Sequence, residues 1–208
     1  EILDNYCENK HIKIIHHKKN KGLSATRNTG VFEGDAELIA FLDGDMTVEN
    51  NWIESFLPYF NDSIIAVMGD NIPPEDIKLN STEKYYFGNM RGARQFNDGD
   101  NIPFQYMLYG NAMLKRSKLI QFGLFDENIS KYGGEDTDLS AKIWKKIPDC
   151  FVFSKKSNSV HYQRRNLNEF CTSMRIYGKY NLPILLNRYP EFKKELGANW
   201  IYSTKGYL

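Results

Sequence analysis

The chain has 208 residues, of which 41% are hydrophobic and 25% are charged, which excludes a disordered, collagen-like or coiled-coil protein. Its 27 Lys and Arg against 26 Asp and Glu leave a net charge of +1, so we expect no nucleic-acid partner. The cysteines Cys7, Cys150 and Cys171 are odd in number and far apart. They predict reduced thiols and therefore a cytoplasmic location.

The first 70 residues alternate between strand-like and helix-like segments. Strands are predicted over 12–16, 37–42 and 64–69, and helices over 23–32 and 49–60, because apolar residues recur with the matching periods. Alternation of this kind is typical of the α/β class, in which a mostly parallel sheet carries helices on both faces.

The later part of the chain is less regular. A polar stretch over 70–103, rich in Asn, Asp, Gly and Pro, predicts a long excursion from the sheet. A helix is predicted over 135–146 and a short strand over 159–161. From residue 167 onward the chain reads as a helical C-terminal tail, rich in aromatic residues.

Two carboxylates, Asp43 and Asp45, flank Gly44 directly after the predicted strand 37–42. Ligands of open α/β sheets bind outside the carboxyl ends of the strands. Hard oxygen ligands suit Mg²⁺ or Mn²⁺ that carries substrate phosphates. A solvated Asp-Gly-Asp turn is the alternative interpretation, and the motif by itself leaves both open.

A second acidic motif, Gly133-Gly134-Glu135-Asp136-Thr137-Asp138, opens the predicted helix 135–146. Acids are favoured in the first turn of a helix by its dipole, so simple capping is one interpretation. The alternative is a ligand site, because one acid is enough for a cap and paired glycines permit a close approach.

His161 and the segment around Arg27 and Asn28 are further candidates. A neutral imidazole is a reasonable ligand for Mn²⁺, although most single histidines are not ligands. Arg27 and Asn28 lie on the predicted helix 23–32, whose start suits an anionic or hydroxyl-rich ligand. An ordinary capped helix with a solvated arginine remains the alternative.

Taken in order, these motifs resemble those of family 2 glycosyltransferases with the GT-A fold, over about residues 10–165. The form of the second acidic motif, followed by a histidine, is similar to that of chondroitin-polymerase-type and galactosyltransferase-type modules. The residues that carry the resemblance are Asn20-x-Gly22, Ala25-x-Arg27-Asn28-x-Gly30, Asp43-Gly44-Asp45 and Gly133-Gly134-Glu135-Asp136-x-Asp138-Leu139, with Tyr109-Gly110-Asn111-Ala112 between them.

The resemblance implies an inverting, metal-dependent transfer of a sugar from a nucleoside diphosphate donor, expected to be a UDP-sugar, to a glycan or another hydroxyl acceptor. It implies Asp136 as the general base. The expected acceptor-binding residues are Gly134, Glu135, Tyr109 and Asn111, and the expected donor-binding residues are Arg27, Asn28, Asp43 and Gly44. Mn²⁺ or Mg²⁺ is expected on Asp45, His161 and Asp43.

Against this family pattern, the βαβ unit that usually comes first is not found before residue 10. We therefore expect residues 1–165 to form a GT-A catalytic domain that lacks this unit, and residues 166–208 to form a helical extension. The extension could cover the acceptor side of the site, pair two subunits in a homodimer or contact the inner face of a membrane, and the sequence leaves these three alternatives open. A non-catalytic carbohydrate-binding module and a nucleotidyltransferase are the alternative functions.

Overall fold

A five-stranded sheet with helices against both faces organises residues 3–201, the part of the chain that the computed structural model describes. The last residues of the predicted tail, 202–208, lie outside this part. The predicted α/β class is confirmed. The strands are β1 (Leu38–Leu42), β2 (Met46–Thr47), β3 (Ala66–Ile72), β4 (Asn111–Lys115) and β5 (Phe151–His161).

Eight α-helices are assigned within the described residues. They are α1 (Leu23–Glu33), α2 (Trp52–Phe56), α3 (Ser81–Tyr86), α4 (Arg116–Gln121), α5 (Glu135–Trp144), α6 (Leu167–Ile176), α7 (Leu182–Arg188) and α8 (Ala198–Ile201). A π-helical turn, Tyr177–Asn181, joins α6 to α7. Short 3-10 turns lie at Leu3–Tyr6, Leu57–Tyr59, Gly92–Gln95, Phe104–Tyr106 and Pro190–Phe192. None of these helices is long and apolar enough to cross a membrane.

The order of the strands in the described sheet is β1-β4-β3-β5-β2, which corrects the expected mostly parallel pairing. Only β3 and β5 pair in parallel, whereas the pairs β1–β4, β3–β4 and β2–β5 are antiparallel. β1, β3 and β5 do share one direction, as the alternation indicates, but the reversed strand β4 lies between β1 and β3. Alternation predicts the direction of successive strands, while distant packing decides which strands become neighbours.

The predicted strand over 12–16 forms no strand in the described chain. A β-like composition gives a strand only where a neighbouring strand accepts its backbone hydrogen bonds. Residues 12–16 meet no such neighbour within residues 3–201.

Alternating side chains of the strands divide the core between the two faces of the sheet. In β3, Ala66 and Met68 join the larger cluster, which contains residues of α1, α4, α5 and α7, whereas Val67 joins the smaller cluster around Phe56 of α2. Successive residues of a strand point to opposite faces, so apolar strands are buried on both sides. The sheet is therefore a rigid support for the loops at its edges.

The three strands that share a direction end at one edge of the sheet. Asp43 and Asp45 follow β1, Ile72 ends β3 and His161 ends β5. β2 pairs with the end of β5, with Met46 opposite His161, so the loop after β1 is tied beside that histidine. This edge is where ligands of open α/β sheets bind.

The C-terminal tail is mostly helical, as predicted, with turns over 193–197 before α8, and it packs against α5. The guanidinium of Arg188 donates a hydrogen bond to Oδ1 of Asp138 at 2.5 Å, and the hydroxyl of Tyr189 donates to the same oxygen at 3.0 Å. Asp138 is fully buried, so the third acid of the second motif holds the tail. The division of the chain at residue 165 stays a prediction.

Candidate active site

A cavity of about 640 Å³ lies at the carboxyl ends of β1 and β5, beside the start of α5. It brings together residues that are far apart in the sequence. Of the predicted site residues, those that line it are Arg27, Asp43, Asp45, Gly134, Glu135, Asp136 and His161. Those that do not line it are Asn28, Gly44, Tyr109 and Asn111.

Arg27, on the second turn of α1, lies between the carboxylates of Asp43 and Asp136. Its Nη1 donates to Oδ1 of Asp136 at 2.7 Å and its Nη2 donates to Oδ1 of Asp43 at 3.1 Å. The side chain is 7% exposed, and its guanidinium also lies over the ring of Phe125. Burial lowers the pKa of Arg27, but the charges of Asp136 and Asp43 outweigh burial and keep this pKa above its usual value.

Asp136 is held on both carboxylate oxygens. Oδ1 accepts from Arg27 and Oδ2 accepts from the backbone N–H of Tyr109 at 3.2 Å. Burial raises the pKa of this carboxyl, and the opposing effects of Arg27 and of the Tyr109 N–H do not cancel the rise. The carboxylate is therefore fixed in orientation and is closer to neutrality than an exposed aspartate.

Glu135 precedes Asp136 at the first position of α5 and also faces the cavity. Burial and the adjacent charge of Asp136 raise the pKa of Glu135 to about 7. The ring of Tyr177 bounds the same part of the cavity, and burial together with the charge of Glu135 raises the pKa of Tyr177 to about 12. Two neighbouring carboxyl groups with raised pKa values are typical of sites that move protons.

Asp43 is placed by its backbone as well as by Arg27. Its N–H donates to the carbonyl oxygen of Gly110 at 2.8 Å. A Cβ atom on Gly110 would lie 2.5 Å from Oδ2 of Asp43, so a side chain at Gly110 would displace the carboxylate. Gly110 therefore belongs to the site, although the motif around it indicated acceptor binding by Tyr109 and Asn111.

Asp45 and His161 face each other across the mouth of the cavity. Oδ2 of Asp45 lies 3.3 Å from Nε2 of His161, and the buried imidazole has a further nitrogen, Nδ1, without a hydrogen-bond partner among the described residues. No group of three or more His, Cys, Asp and Glu able to hold a metal ion occurs within residues 3–201, so the expected set of Asp43, Asp45 and His161 is not assembled, and Asp43 pairs with Arg27 instead. A carboxylate and an imidazole still fit Mn²⁺ or Mg²⁺ when phosphate oxygens and water complete the coordination.

The paired glycines before α5 are required by the backbone. Gly133 has φ +76° and Gly134 has φ +100°, a left-handed region that residues with side chains seldom occupy. The close approach expected at this turn is made by the tail, because a Cβ on Gly134 would lie 3.2 Å from Cβ of Asn181. Gly134 also lines the cavity, so this turn lies between the tail on one side and the cavity on the other.

Two predicted site residues, Asn28 and Tyr109, make their side-chain hydrogen bonds within the protein instead. Asn28 exchanges hydrogen bonds with the backbone of Phe125, donating at 2.9 Å and accepting at 3.1 Å. The hydroxyl of Tyr109 is fully buried and lies 3.0 Å from Oγ of Ser140. Of Tyr109, only the backbone N–H reaches the acid pair.

Asn111 is 2% exposed, and its amide is occupied by three other groups. It donates to the carbonyl oxygens of Asp70 and Ser157 at 3.1 and 3.0 Å, and it accepts from Nε1 of Trp52 at 2.9 Å. Asn111 therefore supports the interior and is not part of the proposed acceptor site.

Gly44 is exposed and has no positive φ, and a Cβ there would meet no atom within 4 Å. Its backbone therefore does not require a glycine.

Sequence reasoning missed several residues of the cavity wall, because no motif marks them. Arg165 donates to the hydroxyl of Tyr132 at 2.9 Å and lies over the rings of Tyr86 and Tyr132. Met174 and Tyr177 reach the cavity from the tail. The aromatic composition of the tail was the only available signal, and it does not separate wall residues from core residues.

The model of the family described as Glycosyl transferase family 2 matches residues 1–123. Among curated proteins, the pre-mycofactocin glycosyltransferase of Mycobacterium tuberculosis is 26% identical over 185 residues, covering 86% of this chain and 38% of that protein. The chondroitin synthase of Pasteurella multocida is 24% identical over 226 residues, covering 94% of this chain and 23% of that protein. The chain therefore spans only part of the length of these relatives.

Solved structures of glycosyltransferases share the fold. The mannosyltransferase PcManGT of Pyrobaculum calidifontis, in complex with GDP-Man and Mn²⁺, has a TM-score of 0.65 at 14% identity, covering 96% of this chain and 55% of that one. GalNAc-T7 with UDP, GalNAc and Mn²⁺ has a TM-score of 0.58 at 19% identity, covering 86% of this chain and 38% of that one. These likenesses confirm the predicted GT-A fold.

Proposed function

This chain belongs to glycosyl transferase family 2, and on that premise we propose that it transfers a sugar from a nucleoside diphosphate donor to a hydroxyl acceptor with inversion. The observation that carries the proposal is the cavity itself. Within it, Asp45 and His161 form one polar pair, and Glu135 and Asp136 form a separate acidic pair at the start of α5. The first pair suits the leaving diphosphate with its cation, and the second suits removal of the acceptor proton.

Asp45 and His161 would hold Mn²⁺ or Mg²⁺ together with diphosphate oxygens of the donor. When bound, the cation neutralises the negative charge that develops on the leaving diphosphate. Mn²⁺ accompanies the nucleotide or nucleotide sugar in the GalNAc-T7 and PcManGT structures, which supports the cation. We propose UDP as the donor nucleotide, which the UDP in GalNAc-T7 supports, with the GDP-Man of PcManGT as the competing precedent.

Asp136 is the proposed general base, and Glu135 the proposed ligand of the acceptor. The acceptor O–H gives its proton to the Asp136 carboxylate while its oxygen forms a bond to the anomeric carbon. The bond from that carbon to the diphosphate oxygen breaks, and the nucleoside diphosphate leaves. A base near the operating pH is efficient, and burial raises the pKa of Asp136 in that direction. Attack opposite the leaving group inverts the anomeric carbon.

Arg27 connects the two proposed functions of the cavity. Its single positive charge lies between Asp43 and Asp136, so it reduces their mutual repulsion and holds both carboxylates in orientation. A substrate that enters the cavity therefore meets carboxylates that are already in place, and little reorganisation is needed during the reaction.

Calorimetry of UDP with and without Mn²⁺, and UDP release from a panel of UDP-sugars, test the proposal. Asp45→Asn should weaken Mn²⁺-dependent UDP binding by at least about tenfold, since even outer-shell changes at metal sites have effects of this size. Asp136→Asn should keep UDP binding within about twofold and lower turnover by at least ~100-fold, the usual contribution of a general base. Asp35→Asn, at an exposed position outside the cavity, is the matched control.

Two results would count against the proposal, the first against the function and the second against the role of Asp136. One is the absence of any Mn²⁺-dependent affinity for UDP or GDP, which would instead favour a carbohydrate-binding module. The other is turnover of the Asp136→Asn variant equal to that of Asp35→Asn, which would remove Asp136 from the reaction. Retention of the anomeric configuration in the product would refute inversion alone.

A further inference from the structure

The orientation of the acid pair depends on the turn that precedes α5. Gly133 and Gly134 both have positive φ, and Glu135 and Asp136 follow immediately as the first residues of the helix. Two consecutive glycines have more conformational freedom to lose on folding than any other pair of residues. Such a turn therefore needs contacts from outside itself to stay in one conformation.

Asn181 supplies those contacts from the tail. The two N–H groups of its Nδ2 are shared among three carbonyl oxygens, those of Lys131 and Tyr132 at 3.0 and 3.3 Å and that of Gly133. The side chain is 2% exposed, so these bonds are shielded from water. A single buried amide thus binds the carbonyl groups of three successive residues that lead into the acid pair.

The shape of the tail matches the turn. The π-helical turn Tyr177–Asn181 brings the ring of Tyr177 against the same glycines as Asn181. A Cβ on Gly133 would lie 3.4 Å from Cδ2 of Tyr177, and one on Gly134 would lie 3.4 Å from Cε2 of the same ring. Tyr177 also lines the cavity. π-Helical turns inside longer helices are frequent at functional sites.

We propose that Asn181 is a positioning residue of the reaction, which acts through the Gly133–Gly134 turn on Glu135 and Asp136, and that Tyr177 forms the wall of the acceptor side. The tail thereby completes the site rather than extending a finished domain. This inference rests on the proposed function for its effect on turnover, but its effect on the turn does not depend on any activity.

Asn181→Ala removes the three hydrogen bonds and keeps the Cβ atom against Gly134. The control is Asn187→Ala, the same substitution at an exposed position of α7. Amide hydrogen exchange should become at least about tenfold faster in residues 131–136 of Asn181→Ala, because local opening is limited by contacts of this kind. Exchange in α1 and β1 should match that of the control.

The kinetic arm separates positioning from general loss of structure. With the donor that turns over fastest, Asn181→Ala should lower kcat for UDP release by about tenfold or more, while KM for the donor and the affinity for UDP with Mn²⁺ stay within about twofold. Asn181→Asp should be no better than alanine, because a carboxylate cannot donate to the carbonyl groups.

Exchange in residues 131–136 equal to that of Asn187→Ala would overturn the inference whether or not the protein turns over. So would an equal loss of kcat and of UDP affinity, since that pattern describes a generally damaged fold. Absence of turnover in the unmodified protein, with faster exchange in Asn181→Ala, would instead refute the proposed function and leave the role of Asn181 in the turn supported.

Discussion

Arg27 donates a hydrogen bond from Nη1 to Oδ1 of Asp136 at 2.7 Å, although 109 positions of sequence separate the two residues. The pair is buried, and Asp43 completes it on the other side of the guanidinium. The guanidinium therefore lies between two carboxylates. The orientation of Asp136, the proposed base, thus depends on a residue of α1.

Arg27→Met should lower the free energy of unfolding by about 3 kcal/mol, because it leaves two carboxylates without their buried partner. Urea unfolding of the variant and of the unmodified protein measures the difference. The control is Lys13→Met, which removes an exposed ion pair with Glu33 and should change stability by no more than about 1 kcal/mol. Equal changes in the free energy of unfolding for the two substitutions would contradict a stabilising role of the buried Arg27.

The raised pKa of Glu135 predicts a dependence of stability on pH. The folded-state pKa of about 7 lies above the ordinary value of 4.5, so the folded chain holds more protons than the unfolded chain between these pH values. Stability therefore decreases as pH rises through this window. Glu135→Gln removes this dependence, and its stability relative to the unmodified protein should increase from pH 4.5 to pH 7.

Urea unfolding at a series of pH values measures this difference. The charge of Asp136 is the second cause of the shift, so in an Asp136→Asn background the folded-state pKa of Glu135 should fall and the window should narrow from its upper end. A difference between Glu135→Gln and the unmodified protein that does not vary with pH would show that Glu135 has an ordinary pKa.

Gly110→Ala should reduce turnover by up to ~100-fold, the effect of misplacing a reacting group by about 1 Å. The new Cβ would lie 2.5 Å from Oδ2 of Asp43, and the carboxylate would have to leave Arg27. UDP release under saturating donor is the measurement.

The control is Gly30→Ala in the interior of α1, where a Cβ meets no atom within 4 Å. It should keep turnover and raise the free energy of unfolding by about 0.5–1 kcal/mol, because alanine is the better helix former. Equal turnover of the two variants would show that the carboxylate of Asp43 does not need its observed position.

Asn111→Ala separates a structural role from acceptor binding. The substitution leaves the carbonyl groups of Asp70 and Ser157 and the indole N–H of Trp52 without a partner in the interior. We expect the free energy of unfolding to fall by about 2–3 kcal/mol, the cost of several unsatisfied buried groups. Unchanged stability together with a raised KM for an acceptor would restore the original interpretation of Asn111.

Several parts of the fold could be predicted from local patterns. Helix α1, strand β1 and the start of α5 agree closely with the prediction, and β3 agrees within three residues, because apolar periodicity and glycine breaks are local properties. The position of β4 between β1 and β3 could not be predicted, since strand neighbours depend on packing between segments far apart in the sequence.

The sequence by itself determined which residue types were available for chemistry: the acids at 43, 45, 135 and 136, His161, and the glycines that let the backbone turn before α5. Only the tertiary structure decided which polar side chains face the cavity. Asn28 and Asn111 lie in the motifs around Arg27 and Gly110 but are bonded to distant backbone groups, whereas Asn181, which no motif marks, holds the turn at the acid pair. The reason is physical: a buried amide must find partners, and folding alone brings those partners within reach.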